Sequence, residues 1–338
     1  METSSNFYPN NQIRSKYIRK NNIFHCETEP AMTLWNKKGK IILQRWYLNG
    51  KLHNKNGPAV QIWNNNRVLI NEKWFINGKY HNENGPSHQV WSPFGILLFQ
   101  RWHLYGNLHK ENGPAVRIWD SNGNKKSETW FHDGNIHRNN DQPAYQEWDS
   151  KCNIIIKKWY KHHLIHRENN PAVQCWFSNG NKQKEEWIYW GKRTKLDGPA
   201  LLTWHDNGNI KSQVWYLNGE RHRINGPALI RYDSYKIIQK ESWIVMGLSH
   251  KTDGPALSKW IDGKLVNESW YIYGKKHKEN GPALTIWDIF GNKIQEHWFI
   301  FGKKHRIDGP ALSTWHSNGI PINISFYIDD KYITSLNN

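Results

Sequence analysis

Residues 46–63 read WYLNGKLHNKNGPAVQIW, and residues 74–91 read WFINGKYHNENGPSHQVW. The two stretches start 28 residues apart and share their tryptophans, Asn-Gly, histidine and Gly-Pro in register. Asn-Gly between alternating residues favours a tight hairpin, because both turn positions tolerate positive φ. A proline opening the next segment suits the first residue of a strand, where no ladder donor is needed. Nothing in the phrase has the form of an active site; its regularity is the signal.

The proline serves as a ruler. It falls at Pro30, Pro58, Pro86, Pro114, Pro143, Pro171, Pro199, Pro227, Pro255, Pro282 and Pro310, spaced by 27 to 29 residues. Five residues later stands a first tryptophan in nearly every copy, as at Trp63, Trp119 and Trp204, and Tyr232 takes its place once. About sixteen after the proline stands a second, as at Trp74, Trp130 and Trp215, replaced by Phe326 at the end. Of the 21 tryptophans only Trp190 lies off this ruler. Four-residue connections such as WDSNG (119–123) follow the first tryptophan, and glycines such as Gly50, Gly78 and Gly219 follow the second. No segment holds helical periodicity over ten residues, so the chain reads as about 11 all-β repeats of 28 residues.

Composition fits a thin, aromatic-rich structure. With only 37% hydrophobic residues and a mean hydropathy of -0.86, the chain is too polar for one large aliphatic core. Its aromatic rings, burying roughly 150–250 Å² each, supply the buried surface instead. The net charge of +17 favours anionic partners: nucleic acid, an acidic membrane surface or an acidic protein. Three cysteines, Cys26, Cys152 and Cys175, lack C-x-x-C spacing, which argues against a disulfide framework and suits a reducing, intracellular or cytoplasmic setting. No apolar leader stretch and no run long enough to span a bilayer is present, so no transmembrane segment is expected. Asn, Ile and Lys are abundant, as from an AT-rich genome.

Phrases such as WYLNGKLHNKNGPAVQIWNNN (46–66) and WFIFGKKHRIDGPALSTWHSNG (298–319) resemble MORN repeats, and related Trp- and Gly-rich repeats of bacterial and large-DNA-virus proteins. The unit here is 28 residues, longer than a MORN unit, and Gly-Pro-Ala stands for Gly-x-Gly. The resemblance implies an elongated, single-layer, twisted antiparallel sheet of stacked β-hairpins. On that reading residues 1–17 are an N-terminal tail, 18–328 the array and 329–338 a C-terminal cap or tail. Neighbour-to-neighbour stacking would make stability a sum over adjacent repeats.

Four recurring columns are candidates for function. Histidines at His53, His109, His222 and equivalents are broken only by Thr194. Equivalent positions two strands apart are about 10 Å from one another, too far for two imidazoles of the column to share a zinc at about 2.0–2.1 Å. Their expected role is to hydrogen-bond turn backbone and pack near a tryptophan. The two Trp columns, with small Ala after each proline, read as a packing ladder, with base or sugar stacking as the alternative. A Gln/Glu column before the second Trp reads as a solvated strand face. The basic column is the best functional candidate: Lys192, Arg193, Lys195, Arg221, Arg223, Lys275, Lys276, Lys278, Lys303, Lys304 and Arg306 would line one edge and hold anions. The alternative is that these charges block edge-to-edge aggregation.

No G-x-S-x-G, P-loop, H-E-x-x-H or recurring carboxylate pair occurs, and no metal or cofactor is implied. The expectation is a non-enzymatic scaffold for protein–protein interaction or self-assembly, possible in a large-DNA-virus particle. Binding of acidic membrane lipid or of nucleic acid through the basic edge is the alternative.

Overall fold

The computed structural model describes residues 1–337; its regular elements are all β-strands, with no helix among the described residues. The chain divides into two units, Met1–His166 and Arg167–Asn338. In each, the longer strands pair antiparallel in chain order, as the stacked-hairpin reading requires.

One repeat shows why. Strand Val60–Trp63 pairs with Leu69–Lys73 in the register Val60↔Lys73, Gln61↔Glu72, Ile62↔Asn71, and slips by one residue at Trp63↔Leu69. The slip is a bulge, closed by the loop: Asn64 Oδ1 accepts the N–H groups of Asn66 and Val68 at 2.9 and 3.0 Å. Asp120 and Asp149 do the same in their loops. Those backbone N–H groups, first that of the residue four along, hold both carboxyls below the usual range.

After Trp74 comes a second, shorter hairpin, Phe75–Ile76 with Lys79–Tyr80. Its turn residues, Asn77 and Gly78, have φ of 51° and 80°, the paired positive angles of a type I′ turn. In the register of the sheet, Ile62 and Leu43 are direct partners on one face. Phe75, Leu52 and Tyr80 from the short hairpins pack over that face against Val60 and Ala59. Ten such short hairpins recur along the described chain, and in the last repeat Pro321–Ile328 instead runs on as one long strand of the sheet.

Neighbouring repeats are joined chiefly through backbone. The Trp46 N–H donates to the Ala59 carbonyl at 2.8 Å, and the same bond recurs from Trp74 to Ser87 and from Trp215 to Ala228. The residue after proline is fully buried in each repeat, which is why it is Ala, or Ser at 87. At the short hairpin, Asn54 N–H donates to Phe75 O and Gly78 N–H to Leu52 O, at 3.0 and 2.8 Å.

The tail expected over residues 1–17 is instead a hairpin. Glu2–Phe7 pairs with Ile13–Lys20, which pairs in turn with Met32–Trp35. The segment IRSKYIRK buries Ser15 and Ile18, and Ile18 packs on Cys26 and Ala31, so it supplies the strand the first repeat would otherwise lack. At the other end Pro321–Ile328 pairs with Lys331–Asn337 across an Asp329-Asp330 turn, so position 328 lies inside a hairpin. Asn338 lies outside the described residues.

Candidate interaction surfaces

The histidine column faces the next repeat. His53 Nδ1 accepts the backbone N–H of Asn77 at 3.1 Å, and His109, His222, His250, His277 and His305 do the same for Asp133, Met246, Tyr273, Phe301 and Asp329. Each acceptor pins the first residue of a type I′ turn, a position with φ near 45°–50°. Tyr273 and Phe301 are bulky for that conformation, which costs roughly 1–2 kcal/mol. Their rings stack on His250 and His277 at 4.1 Å, an interaction that offsets the strain. Trp190, the one tryptophan off the ruler, occupies the same turn position, with φ of 44°.

The opposite sheet face carries the Gln/Glu column, and it is not freely solvated. Register places Gln44, Gln61, Glu72, Gln89 and Gln100 in one continuous row. Glu128 and, at the equivalent position in the second unit, Glu185 are buried. Arg117 and Lys125 pair with Glu128 at 3.5 and 3.1 Å, and Lys182 pairs with Glu185 at 2.8 Å. Trp74 Nε1 donates to Glu72 at 2.8 Å, which ties the second Trp column to this row.

The eleven basic residues do not form one strip. Alternation along the short hairpin sends them three ways. Lys195, Arg223, Lys278 and Arg306 sit on the Trp face, each cation 3.8–4.0 Å from the ring centroid of Trp187, Trp215, Trp270 or Trp298. Arg223 and Arg306 also donate to the carbonyls of Pro227 and Pro310. These four are half-buried and already engaged. Arg193, Arg221, Lys276 and Lys304 turn toward the aromatic side. Arg193 Nε donates to Glu186 at 2.7 Å, and Arg221 Nε to the Tyr216 hydroxyl at 3.5 Å. Lys276 and Lys304 lie 5.1 and 4.6 Å from the rings of Phe299 and Tyr327. Burial raises the Glu186 carboxyl pKa, but Lys184 and Arg193 outweigh it and hold the group low. Burial pushes the Lys276 ammonium down. Only Lys192, Lys275 and Lys303 point outward, their stems running beside the turn glycines of the following repeat (Gly219 and Gly302 for the first two).

Sequence reasoning missed one cluster. Ser87, His88 and His103 replace the Ala, aliphatic and aromatic residues of the repeat. Ser87 Oγ lies 2.7 Å from His103 Nδ1, and Tyr80 stacks on both histidines. Burial first, then nearby positive charge, pushes His88 and His103 down to about 4. Ser87 is fully buried, so this serine–histidine contact cannot meet a substrate. The signal was present as three departures from the repeat within 17 residues.

Together these features define a class: a repetitive β-hairpin scaffold with no catalytic arrangement among the described residues. No family model matches the chain, and no curated protein matches it. Solved structures similar to it include the TcdB2–TccC3–TEV crystal structure, at 10% identity over 97% of this chain and 21% of that one, with a TM-score of 0.16. The Photorhabdus luminescens Tc holotoxin pore is similar at 11% identity over 96% of this chain and 17% of that one, also with a TM-score of 0.16. The chain thus spans about a fifth of their length, and likeness at these TM-scores carries no argument about fold or function.

Proposed function

We propose that the chain is a non-enzymatic scaffold that binds a protein partner through the loops of its repeats. The supporting observation is at the second residue after each histidine. Most repeats place a polar residue there, such as Lys55, Glu83, Glu111 or Glu279. In the second unit three repeats instead hold Leu196, Ile224 and Ile307, exposed by 87%, 71% and 83%. Aliphatic side chains held in water at equivalent loop positions suit contact with protein rather than with nucleic acid. Beside Ile307 an open groove of about 600 Å³ is lined by Trp298, Ile300 and Arg306.

The test is a pull-down with tagged full-length protein, with nuclease and detergent present. A stoichiometric protein retained by the wild type and lost by the triple variant Leu196→Glu, Ile224→Lys, Ile307→Glu supports the reading. Loss of all bound material on nuclease or detergent treatment sinks it.

A second reading rests on Lys192, Lys275 and Lys303, the outward members of the basic set. They could meet acidic lipid, as the MORN resemblance suggests, or nucleic acid. Lipid binding would require anionic headgroups, and nucleic-acid binding would fall steeply with salt. A reducing compartment and a place in a large-DNA-virus particle belong to this proposal too, supported by three cysteines that form no disulfide among the described residues and by the Asn/Ile/Lys-rich composition.

A further inference from the structure

The histidine column cannot hold a metal by itself, because its members are one repeat apart. A different combination can: a column histidine with two consecutive residues of the next repeat's turn. At most repeats the residue before the turn is aliphatic, as in Leu48, Ile76, Leu104 and Leu217. In one repeat it is His132, followed by Asp133. His109, His132 and Asp133 each bring a donor atom within 4.8 Å of the other two, the one such set among the described residues.

The distances already approach coordination. His109 Nδ1 lies 2.9 Å from Asp133 Oδ1, and His132 Nδ1 lies 3.5 Å from Asp133 Oδ2. Ligand atoms about 2.0–2.1 Å from a tetrahedral zinc are separated by about 3.3 Å. The rings of His109 and His132 are 4.9 Å apart between centroids, tilted by 52°. His132 and Asp133 are exposed, so small side-chain rotations can close the set.

The His109–Asp133 contact can take a cation in place of a proton. His109 Nδ1 lies 3.2 Å from the Asp133 backbone N and 2.9 Å from its Oδ1. A proton on Nδ1 bridges to the carboxylate, as it can at His305 and Asp329. A divalent cation on Nδ1 and the carboxylate would replace that proton, with the turn amide passing to water. Beside the set is an opening of about 290 Å³ lined by His132, Asp133, Asn135, His137 and His162, room for a fourth ligand.

We infer that His109, His132 and Asp133 form a binding site for one divalent transition-metal ion of the zinc type. Two imidazoles and one carboxylate suit zinc or copper over magnesium or calcium, which prefer all-oxygen sites. The ion would bridge two adjacent repeats and brace the turn between them. An internal comparison exists at His305 and Asp329, which repeat the histidine–carboxylate contact at 3.1 Å. There the third position is Ile328, so the set is incomplete.

The test is titration of the full chain with zinc chloride by calorimetry, with magnesium as competitor. His132→Leu and Asp133→Asn put in residues that other repeats already use, so both variants retain the fold. The expected result is one saturable zinc per chain, unmoved by magnesium and weakened at least tenfold by either variant. Ile328→His should add a second site. Absence of saturable binding in the wild type, wild-type affinity in either loss variant, competition by magnesium, or no second site in Ile328→His would each overturn the inference.

Discussion

His250 and Tyr273 make two contacts across a repeat boundary: Nδ1 accepts the Tyr273 backbone N–H at 3.3 Å, and the two rings stack at 4.1 Å. A residue that by sequence invites a metal or catalytic reading is here the peg that fixes the next turn. His250→Ala removes both contacts and leaves Tyr273 in a left-handed conformation without compensation. We expect a loss of about 1–2 kcal/mol, read by urea unfolding, with faster amide exchange at Tyr273 and Gly274. Unchanged exchange at those amides would show that the turn stands without its peg.

The basic residues divide into structural and free. Arg223→Gln leaves the Trp215 ring without its cation and Pro227 without a strong donor, and should cost about 1–2 kcal/mol. Lys275→Gln and Lys303→Gln should change stability by no more than about 0.5 kcal/mol. If the outward lysines bind anions, those two variants should weaken binding to acidic vesicles or single-stranded nucleic acid. Equal destabilisation by all three variants would contradict the division.

Acid should weaken the first unit through His88 and His103. Both have folded pKa values of about 4, against an ordinary 6.5. A lowered histidine pKa means the unfolded chain takes up protons first. The contribution is therefore whole above about 6.5, shrinks as pH falls, and is gone below about 4. At about 1.4 kcal/mol per pKa unit, the fall from 6.5 to about 4 in each sets a ceiling of about 7 kcal/mol for the two together. The double variant His88→Val, His103→Phe restores residues used by other repeats and should flatten the urea midpoint between those pH values. A parallel pH profile in the variant would refute the assignment.

Packing at the post-proline position should tolerate little. Ala228 is fully buried and its carbonyl takes the Trp215 N–H. Ala228→Leu must push apart two repeats and should cost about 1–3 kcal/mol. Ala228→Ser should cost less, since Ser87 already occupies the equivalent site. Equal stability of the leucine and serine variants, measured by thermal melting, would show that the boundary has slack.

The local structure was legible in the sequence. Pro30 to Pro310 fixed the period, Asn77-Gly78 the type I′ turn, and Asn64 or Asp120 the four-residue loop, because each reports a backbone requirement satisfied within a few residues. The turns and the hairpin order follow from such short-range chemistry, whereas the bulge at Trp63 shows only in the strand register. Residues 1–17 escaped because IRSKYIRK matches no repeat landmark, and only pairing with Met32–Trp35 makes it a strand.

What tertiary structure alone decided is where side chains from different repeats meet. Lys303, Lys304 and Arg306 are near neighbours in sequence, yet they end outward, against Tyr327 and on Trp298 respectively, since a strand alternates its faces and the chain then leaves the short hairpin. His109 meets Asp133, 24 residues on, because the stacking of hairpins sets one repeat's histidine under the next repeat's turn. A sequence column shows which residues recur. Contact between a column and its neighbour depends on stagger, and stagger is fixed only when the inter-repeat bonds from Trp to Ala and from Gly to the preceding hairpin are made.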